Sequence, residues 1–337
     1  MTLDDHGGWP GVLGRLSAGE DIGEAAARAA LDTVLAGDAT DAQLAAFLVA
    51  LRQKGETVEE MTGLVRAMHD AAVRPELPAN TIDLVGAGGS KLGREAALNV
   101  STMASFVAAG AGATVCKHGN RKASSTSGSF DVLEALGVQI ELTKEQLEAC
   151  VHEVGVGFAF ARTFHPAMRF AGPVRAQLGI PTVFNVLGPL SHPARLSRQV
   201  VGVPDADVGL RMAAVLAATG STHSMVVTGD GGLDELSTTG PNTVHHVVDG
   251  DVSTTTIEPG DVGLAVATAA ELHGGDAAAN AAIAAEIFAG EPGPKRDIVV
   301  LNAAAGLVVA GVAPDLVDGC ERACASIDSG AAAARLE

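Results

Sequence analysis

Apolar residues recur at helical spacing through the first quarter of the chain. After Thr40, the positions Leu44, Phe47, Leu48 and Leu51 fall on one face, and after Thr57 so do Met61, Leu64, Val65 and Met68. Each run opens on a capping box, Thr40-Asp41-Ala42-Gln43 and Thr57-Val58-Glu59-Glu60, whose first and fourth side chains satisfy each other's free N–H groups. Residues 9–75 therefore read as short amphipathic helices, closed by Arg74-Pro75-Glu76-Leu77-Pro78, where two prolines make a linker. From Thr81 the period shortens. Ile82 to Val85, Ala113 to Cys116, Val156 to Phe160, Thr182 to Phe184, Gln199 to Val203 and His223 to Val227 are strand candidates. Helical patterns lie between them, at Ser101 to Ala109, Thr143 to Val154, Pro166 to Leu178 and Val208 to Ala218. Thr243 to Val248 and Val252 to Ile257, joined by Asp249-Gly250, read as a β-hairpin, because Asp-Gly supplies the positive φ angles of a tight turn. Lys295 to Val309 and Leu316 to Ile327 read as helices, and no internal repeat is present. The expected architecture is α/β: a small all-helical N-terminal domain over 1–78 and a larger α/β domain over 79–337, built on a central, mostly parallel sheet.

Composition narrows the function classes. With 337 residues and 47% hydrophobic content, the chain can bury the cores of two domains. No apolar run is long enough for a membrane span, and Met1-Thr2-Leu3-Asp4-Asp5-His6 lacks the basic and apolar regions of a signal peptide. Cys116, Cys150, Cys320 and Cys324 lack the spacings of a zinc site or a secreted disulfide framework, so the cytoplasm is the expected compartment. A net charge of −18 argues against nucleic acid or an anionic membrane as partner.

Against that charge, one stretch is exceptional. Lys117-His118-Gly119-Asn120-Arg121 continues as Lys122-Ala123-Ser124-Ser125-Thr126-Ser127-Gly128-Ser129 between a strand and a helix. Cations, hydroxyls and the free N–H groups of a helix start all favour the oxygens of an anionic ligand; a solvated, capped turn is the plainer alternative. Three other loops carry candidate chemistry. Gly86-Ala87-Gly88-Gly89-Ser90 follows a strand and lets backbone N–H groups approach a ligand, though its spacing is not that of a dinucleotide loop. Asn99-Val100-Ser101-Thr102 then caps the next helix and leaves hydroxyls for phosphate or metal. Phe164-His165-Pro166 through Arg175 and on to Gly188-Pro189 offers a guanidinium fork suited to a carboxylate. Gly229 to Leu236 places Asp234 beside Glu235, an oxygen pair suited to magnesium or simply to solvent.

Taken together, these motifs resemble the anthranilate phosphoribosyltransferase family over nearly the whole chain. The likeness is carried by Lys117 to Arg121 with Ser127-Gly128-Ser129, Phe164-His165-Pro166, Val183 to Leu190, Gly232 to Ser237, Asn99 to Thr102 and Leu301 to Ala304. The resemblance implies magnesium-dependent transfer of the 5-phosphoribosyl group of phosphoribosyl pyrophosphate (PRPP) to the amine of anthranilate, releasing pyrophosphate, a step of tryptophan biosynthesis. It implies a PRPP site of Gly86, Gly88, Gly89, Asn99, Ser101, Thr102, Lys117 and Ser129 in the larger domain, and Mg2+ on Asp234, Glu235 and Ser101. The aromatic acid would meet His118, Gly119, Asn120, His165, Arg175, Gly188 and Pro189. Lys117, Asn120 and Arg175 would serve catalysis, Lys117 by stabilising the leaving group and the other two by orienting the acceptor. It further implies that helices from about 164–192 join the small domain, and that the protein is a homodimer.

The match departs in one loop. The family's first loop reads Gly-Thr-Gly-Gly-Asp, whereas here Ala87 replaces the Thr and Ser90 the Asp, and Lys91 to Leu98 form an insertion. Ser90, Lys91 and Arg94 are candidate phosphate contacts in that variant loop. The departure leaves open altered donor handling through Lys91 or Arg94, a paralogue with an altered donor or aromatic acceptor, lost catalysis, or a loop variant tolerated in an ordinary enzyme. From other classes, a related nucleoside phosphorylase-type enzyme and a non-catalytic binding protein are the alternatives.

Overall fold

The computed structural model describes residues 1–88, 98–121 and 127–337. The predicted contacts Gly89, Ser90, Lys91 and Arg94, and the hydroxyl run Ser124-Ser125-Thr126, lie outside the described residues. The chain opens with α1 (Gly8–Ser17), α2 (Gly23–Ala36), α3 (Asp41–Lys54) and α4 (Val58–Ala71). It continues with β1 (Asp83–Gly86), α5 (Val100–Gly110), β2 (Val115–Gly119), α6 (Ser129–Ala135), α7 (Lys144–Glu153), β3 (Val156–Phe160) and α8 (Ala161–Phe164). Then come α9 (Gly172–Leu178), α10 (Phe184–Leu190), β4 (Arg198–Gly202), α11 (Ala206–Ala218), β5 (His223–Thr228), β6 (Asn242–Val248) and β7 (Asp251–Ile257). The chain closes with α12 (Ala277–Phe288), α13 (Pro294–Ala310) and α14 (Leu316–Asp328).

Both capping boxes form, with Thr40 and Gln43 exchanging hydrogen bonds, as do Thr57 and Glu60. Glu60 does more than cap. Its carboxylate also accepts from the Ile22 backbone N–H and pairs with Lys54 at 2.9 Å, fixing α4 against α3 and the entry to α2. The apolar faces of these helices share one core with Val174 of α9 and Phe184, Leu187 and Leu190 of α10.

The larger sheet runs β1-β4-β5-β6-β7, parallel across β1, β4 and β5 and antiparallel from β5 to β7. The parallel pair β2–β3 joins it through a bridge between Ile82 and Val115. The hairpin is as expected, with Asp249 and Gly250 at φ 49° and 93°. A second core gathers α5, α13 and α14 on the sheet. Three expectations need correction. Thr182-Val183-Phe184 is not a strand: Thr182 N–H donates to Asn185 Oδ1 at 3.0 Å, and Val183 turns the chain into α10. The β-propensity of Val183 and Phe184 yields to burial in the helical core. The Pro166 to Leu178 pattern splits into a 3₁₀ turn and α9. Asn99 stands at the N-cap of α5, but its side chain makes no cap hydrogen bond.

Three buried imidazoles meet where β2 passes the segment after α10. The ring of His118 lies 5.1 Å from that of His165 and 5.7 Å from that of His192, centre to centre. Ala194 N–H donates to His192 Nδ1, so His192 carries its proton on Nε2 and donates it to the Cys116 carbonyl at 2.9 Å. Burial holds all three rings well below the ordinary value of 6.5, His165 at about 4 and His192 at about 3. A histidine depressed on folding contributes stability above its unfolded value, and that stability is lost as pH falls through 6.5 toward 4. Each ring in that window adds a slope of about 1.4 kcal/mol per pH unit. Urea unfolding should show the midpoint falling steeply between about pH 7 and about pH 5, with His192→Gln flattening the fall. A midpoint that stays level over that window would show the rings are not buried neutral.

Candidate functional site

Neighbouring residues on a strand point to opposite faces, and β2 uses this to serve two regions at once. Lys117 faces inward beneath β1. It is 2% exposed, and its ammonium donates to the Leu84 carbonyl and, at 3.1 Å, to Ser101 Oγ. Asp83, Glu235 and Asp234 act on it electrostatically; burial pulls the ammonium's pKa down while the three carboxylates work to keep it charged. Asp83 is fully buried and pushed up to about 7 by burial, while its Oδ1 takes the His118 backbone N–H at 3.1 Å. Sequence reasoning gave Asp83 no role, although a lone acid in an otherwise apolar strand was a signal.

The glycine loop and the acidic loop interlock. A Cβ on Gly86 would lie 2.7 Å from Asp234 Oδ2, and one on Gly202 would lie 1.7 Å from the Asp234 carbonyl oxygen. Neither position has room for a side chain. Gly88 N–H closes the contact by donating to Asp234 Oδ2 at 2.7 Å. Asn302, from α13, holds the acidic loop from behind by bonding both the N–H and the carbonyl of Leu236. Ser101, Asp234 and Glu235 thus line one narrow cleft beside Gly202. Burial raises both carboxylates, and Asp234 raises Glu235 further. Two carboxyl groups and a hydroxyl, with Lys117 as their counter-charge among the described residues, form an oxygen donor set that fits a hard divalent cation. Thr102 Oγ1 nearby is buried without a hydrogen-bond partner among the described residues. Asn99 reaches toward Ser127 O at 3.5 Å, and Ser129 Oγ donates to the Asn120 carbonyl at 3.2 Å. A Cβ on Gly119 would lie 2.5 Å from Ser129 Oγ, so the loop around Lys117 closes tightly on the start of α6.

The other face of β2 carries His118. The backbones of Gly188 and Ser191 bond the rings of His118 and His165, while both Nε2 atoms lack a partner among the described residues. Gly188 lies one turn along α10 from Phe184, and the Arg175 guanidinium stacks over the Phe184 ring at 4.9 Å. Arg175 is half-buried and has no ion pair among the described residues, so its charge is left for a ligand. The Pro189 carbonyl is held by Gln199 at 3.2 Å. Asn120 is exposed and its Oδ1 accepts from Arg121 N–H. Arg121 itself pairs with Glu134 at 2.8 Å, which removes one cation of the motif from the site. The structure therefore groups the described donor-side and metal-side residues on one side of β2, and His118, His165, Gly188, Pro189 and Arg175 on the other.

A larger cleft of about 280 Å³ lies between α2, α4 and α11, lined by Arg28, Arg66, Arg195 and Asp70. Its arginines are already paired, with Asp70 or Glu24, and of the groups above only Gln199 lines it.

Comparison with known proteins agrees with this geometry. The α/β domain of a glycosyl transferase family matches residues 78–333, and the helical bundle domain of that family matches residues 10–72. The chain is 50% identical over 334 residues to an anthranilate phosphoribosyltransferase of Rhodococcus jostii, spanning 97% of this chain and 91% of that one. An enzyme of the same name from Chloroflexus aggregans is 50% identical, spanning 96% and 95%. The crystal structure of the Thermus thermophilus anthranilate phosphoribosyltransferase superposes with a TM-score of 0.90 at 40% identity, covering 96% and 97% of the two chains. The Saccharomyces cerevisiae enzyme in complex with PRPP and Mg superposes with a TM-score of 0.87 at 28% identity, covering 97% and 95%. With its motifs in order, its two-sided site and this likeness along its whole length, the chain belongs to the anthranilate phosphoribosyltransferase family.

Proposed function

We propose that this protein transfers the 5-phosphoribosyl group of PRPP to the amine of anthranilate and releases pyrophosphate. One observation carries the reading: three separate segments bring Ser101, Lys117, Asp234 and Glu235 into a single cluster, while Arg175 has no carboxylate partner among the described residues. In the reaction the C1–O bond of the ribose to pyrophosphate breaks, a C1–N bond to the amine forms, and the amine gives up one proton. Negative charge grows on the leaving group, and Lys117 is the group that answers it, its ammonium disfavoured by burial and favoured by the three acids around it. Gly86, Gly88, Asn99, Ser101, Thr102 and Ser129 surround the donor. Asp234, Glu235 and Ser101 would hold Mg2+, which when bound neutralises diphosphate charge.

The acceptor lies on the opposite face of β2. Arg175 pairs with its carboxylate, Gly188 and Pro189 form one wall, and His118, Gly119, Asn120 and His165 orient the ring and amine. Because an aromatic amine is already nucleophilic, orientation carries most of the acceptor-side effect. Burial lowers the pKa of both His118 and His165, so these rings serve as neutral orienting groups and not as strong bases. Residues 1–78 with the helices over 164–192 form the small domain of this reading, and their apolar faces share a core that also takes in Val201, Met212 and Val226 of the larger domain. A homodimer joined through the small domain belongs to the same proposal. Four free cysteines suit a cytoplasmic enzyme. A second reading, a paralogue with an altered donor or acceptor, rests on Ala87 and Ser90 in the variant loop.

Anthranilate fluorescence should disappear when the protein is supplied with PRPP and magnesium. Tight PRPP binding by calorimetry without turnover would move the reading to the paralogue, and binding of neither substrate would end the transferase assignment. Arg175→Ala should raise the acceptor KM by about tenfold to a hundredfold, the worth of one charge-assisted pair, and leave the PRPP KM near its original value. An unchanged acceptor KM would remove the role given to Arg175.

A further inference from the structure

Asn99 stands at the N-cap of α5, yet its side chain makes no bond to the free N–H groups there. Its Oδ1 instead accepts from Asn280 Nδ2 at 2.7 Å, across 181 residues of chain. Asn280 lies in the first turn of α12 and is 0% exposed. Its amide is oriented by a backbone group whose polarity is not in question: Gly275 N–H can only donate, and it donates to Asn280 Oδ1 at 2.9 Å. Asn280 Nδ2 must then point the other way, toward Asn99, with the Gly275 carbonyl also within reach at 3.3 Å. Asn99 is thereby obliged to offer its oxygen to Asn280 and to turn its NH₂ outward, to the side where Ser127 O lies at 3.5 Å. Gly275 is itself constrained, since a Cβ there would come 2.7 Å from the Ala279 side chain. A chain of fixed polarity thus runs from a backbone N–H, through Asn280, to the donor face of Asn99.

We infer that Asn280 is a positioning residue for the reaction: it sets the amide of Asn99 so that an N–H donor, and not a carbonyl oxygen, faces the phosphate and ribose oxygens of PRPP. The inference rests on the reading of Asn99 as a donor-binding residue. An acceptor-rich ligand needs that polarity, because a carbonyl oxygen turned toward a diphosphate would repel it. Among the described residues the hydrogen bonds of this chain run through Gly275, Asn280, Asn99 and Ser127, on the donor side of β2, so its effect should fall on one substrate.

Asn280→Asp isolates the polarity at nearly constant shape. The new carboxylate still accepts from Gly275 N–H but cannot donate to Asn99, whose amide must rotate and present its oxygen to the donor. The PRPP KM should rise by about tenfold or more, while the anthranilate KM stays within about twofold. Asn280→Ala, should the aspartate variant fail to fold, removes the anchor without reversing it and should raise the PRPP KM by a smaller factor in the same direction. Asn99→Ala is the control: if it leaves the PRPP KM unchanged, the donor role of Asn99 itself fails. If Asn99→Ala raises the PRPP KM but folded Asn280 variants do not, the positioning role alone fails. Equal rises in both KM values would also overturn it, since a merely structural lesion would not separate the substrates.

Discussion

The site depends on one buried ammonium. An isolated charge at the depth of Lys117 would lose its proton or force the chain open, because desolvation costs several kcal/mol. It is retained by the Leu84 carbonyl, Ser101 Oγ and the field of Asp83, Asp234 and Glu235. These partners come from β1, the start of α5 and the loop after β5, so satisfying one charge draws three distant segments together. The cost is reciprocal. The same burial pushes Asp83, Asp234 and Glu235 upward by disfavouring their charged forms, so a cation joining the cluster would favour the carboxylates over the protonated acids. An anionic donor arriving with magnesium suits this state, and its local attraction answers the repulsion of a chain with net charge −18.

Backbone geometry makes that cluster possible. The Asp234 main chain enters so close to β1 and β4 that Gly86 and Gly202 must be bare. A sheet edge packed this tightly behaves as a fixed template, and pre-placed charge costs no reorganisation when the leaving group develops its own. On the other face of β2, rigidity comes from neutral groups: His118 and His165 lean on the backbones of Gly188 and Ser191, and Arg175 on the Phe184 ring.

Local signals and long-range ones were unequally legible. The helix starts at Thr40 and Thr57 and the turn at Asp249-Gly250 were readable because capping and turn chemistry act within four residues. Val183 and Phe184 misled because their β-propensity is weaker than the burial offered by the helical core, a partner distant in sequence. The site motifs were visible as loops, but what holds them was not. Asp83, Gln199, His192 and Asn280 act through contacts of high sequence separation, and nothing in their neighbours announces them. Asn99 shows the mechanism of such an error: a competent cap by local rules, it is diverted by a single buried amide from α12.

The same interlock locates where this family member is free to vary. Ala87 stands where the family has Thr, and the structure ties it by its backbone, Ala87 N–H donating to the Gly202 carbonyl at 2.8 Å. That contact extends the β1–β4 ladder by one residue and is indifferent to the side chain. Gly86 and Gly88, by contrast, are held by Asp234, one through lack of room and the other through its N–H. On the far side of the variant stretch, Leu98 is buried in the α/β core. The described contacts that hold Lys117, Ser101 and the acidic pair come from Leu84, Gly86, Gly88, Gly202 and Asn302. All five lie outside the stretch from Ser90 to Leu98, so the charge cluster and the departure from the family pattern occupy separate parts of the sequence.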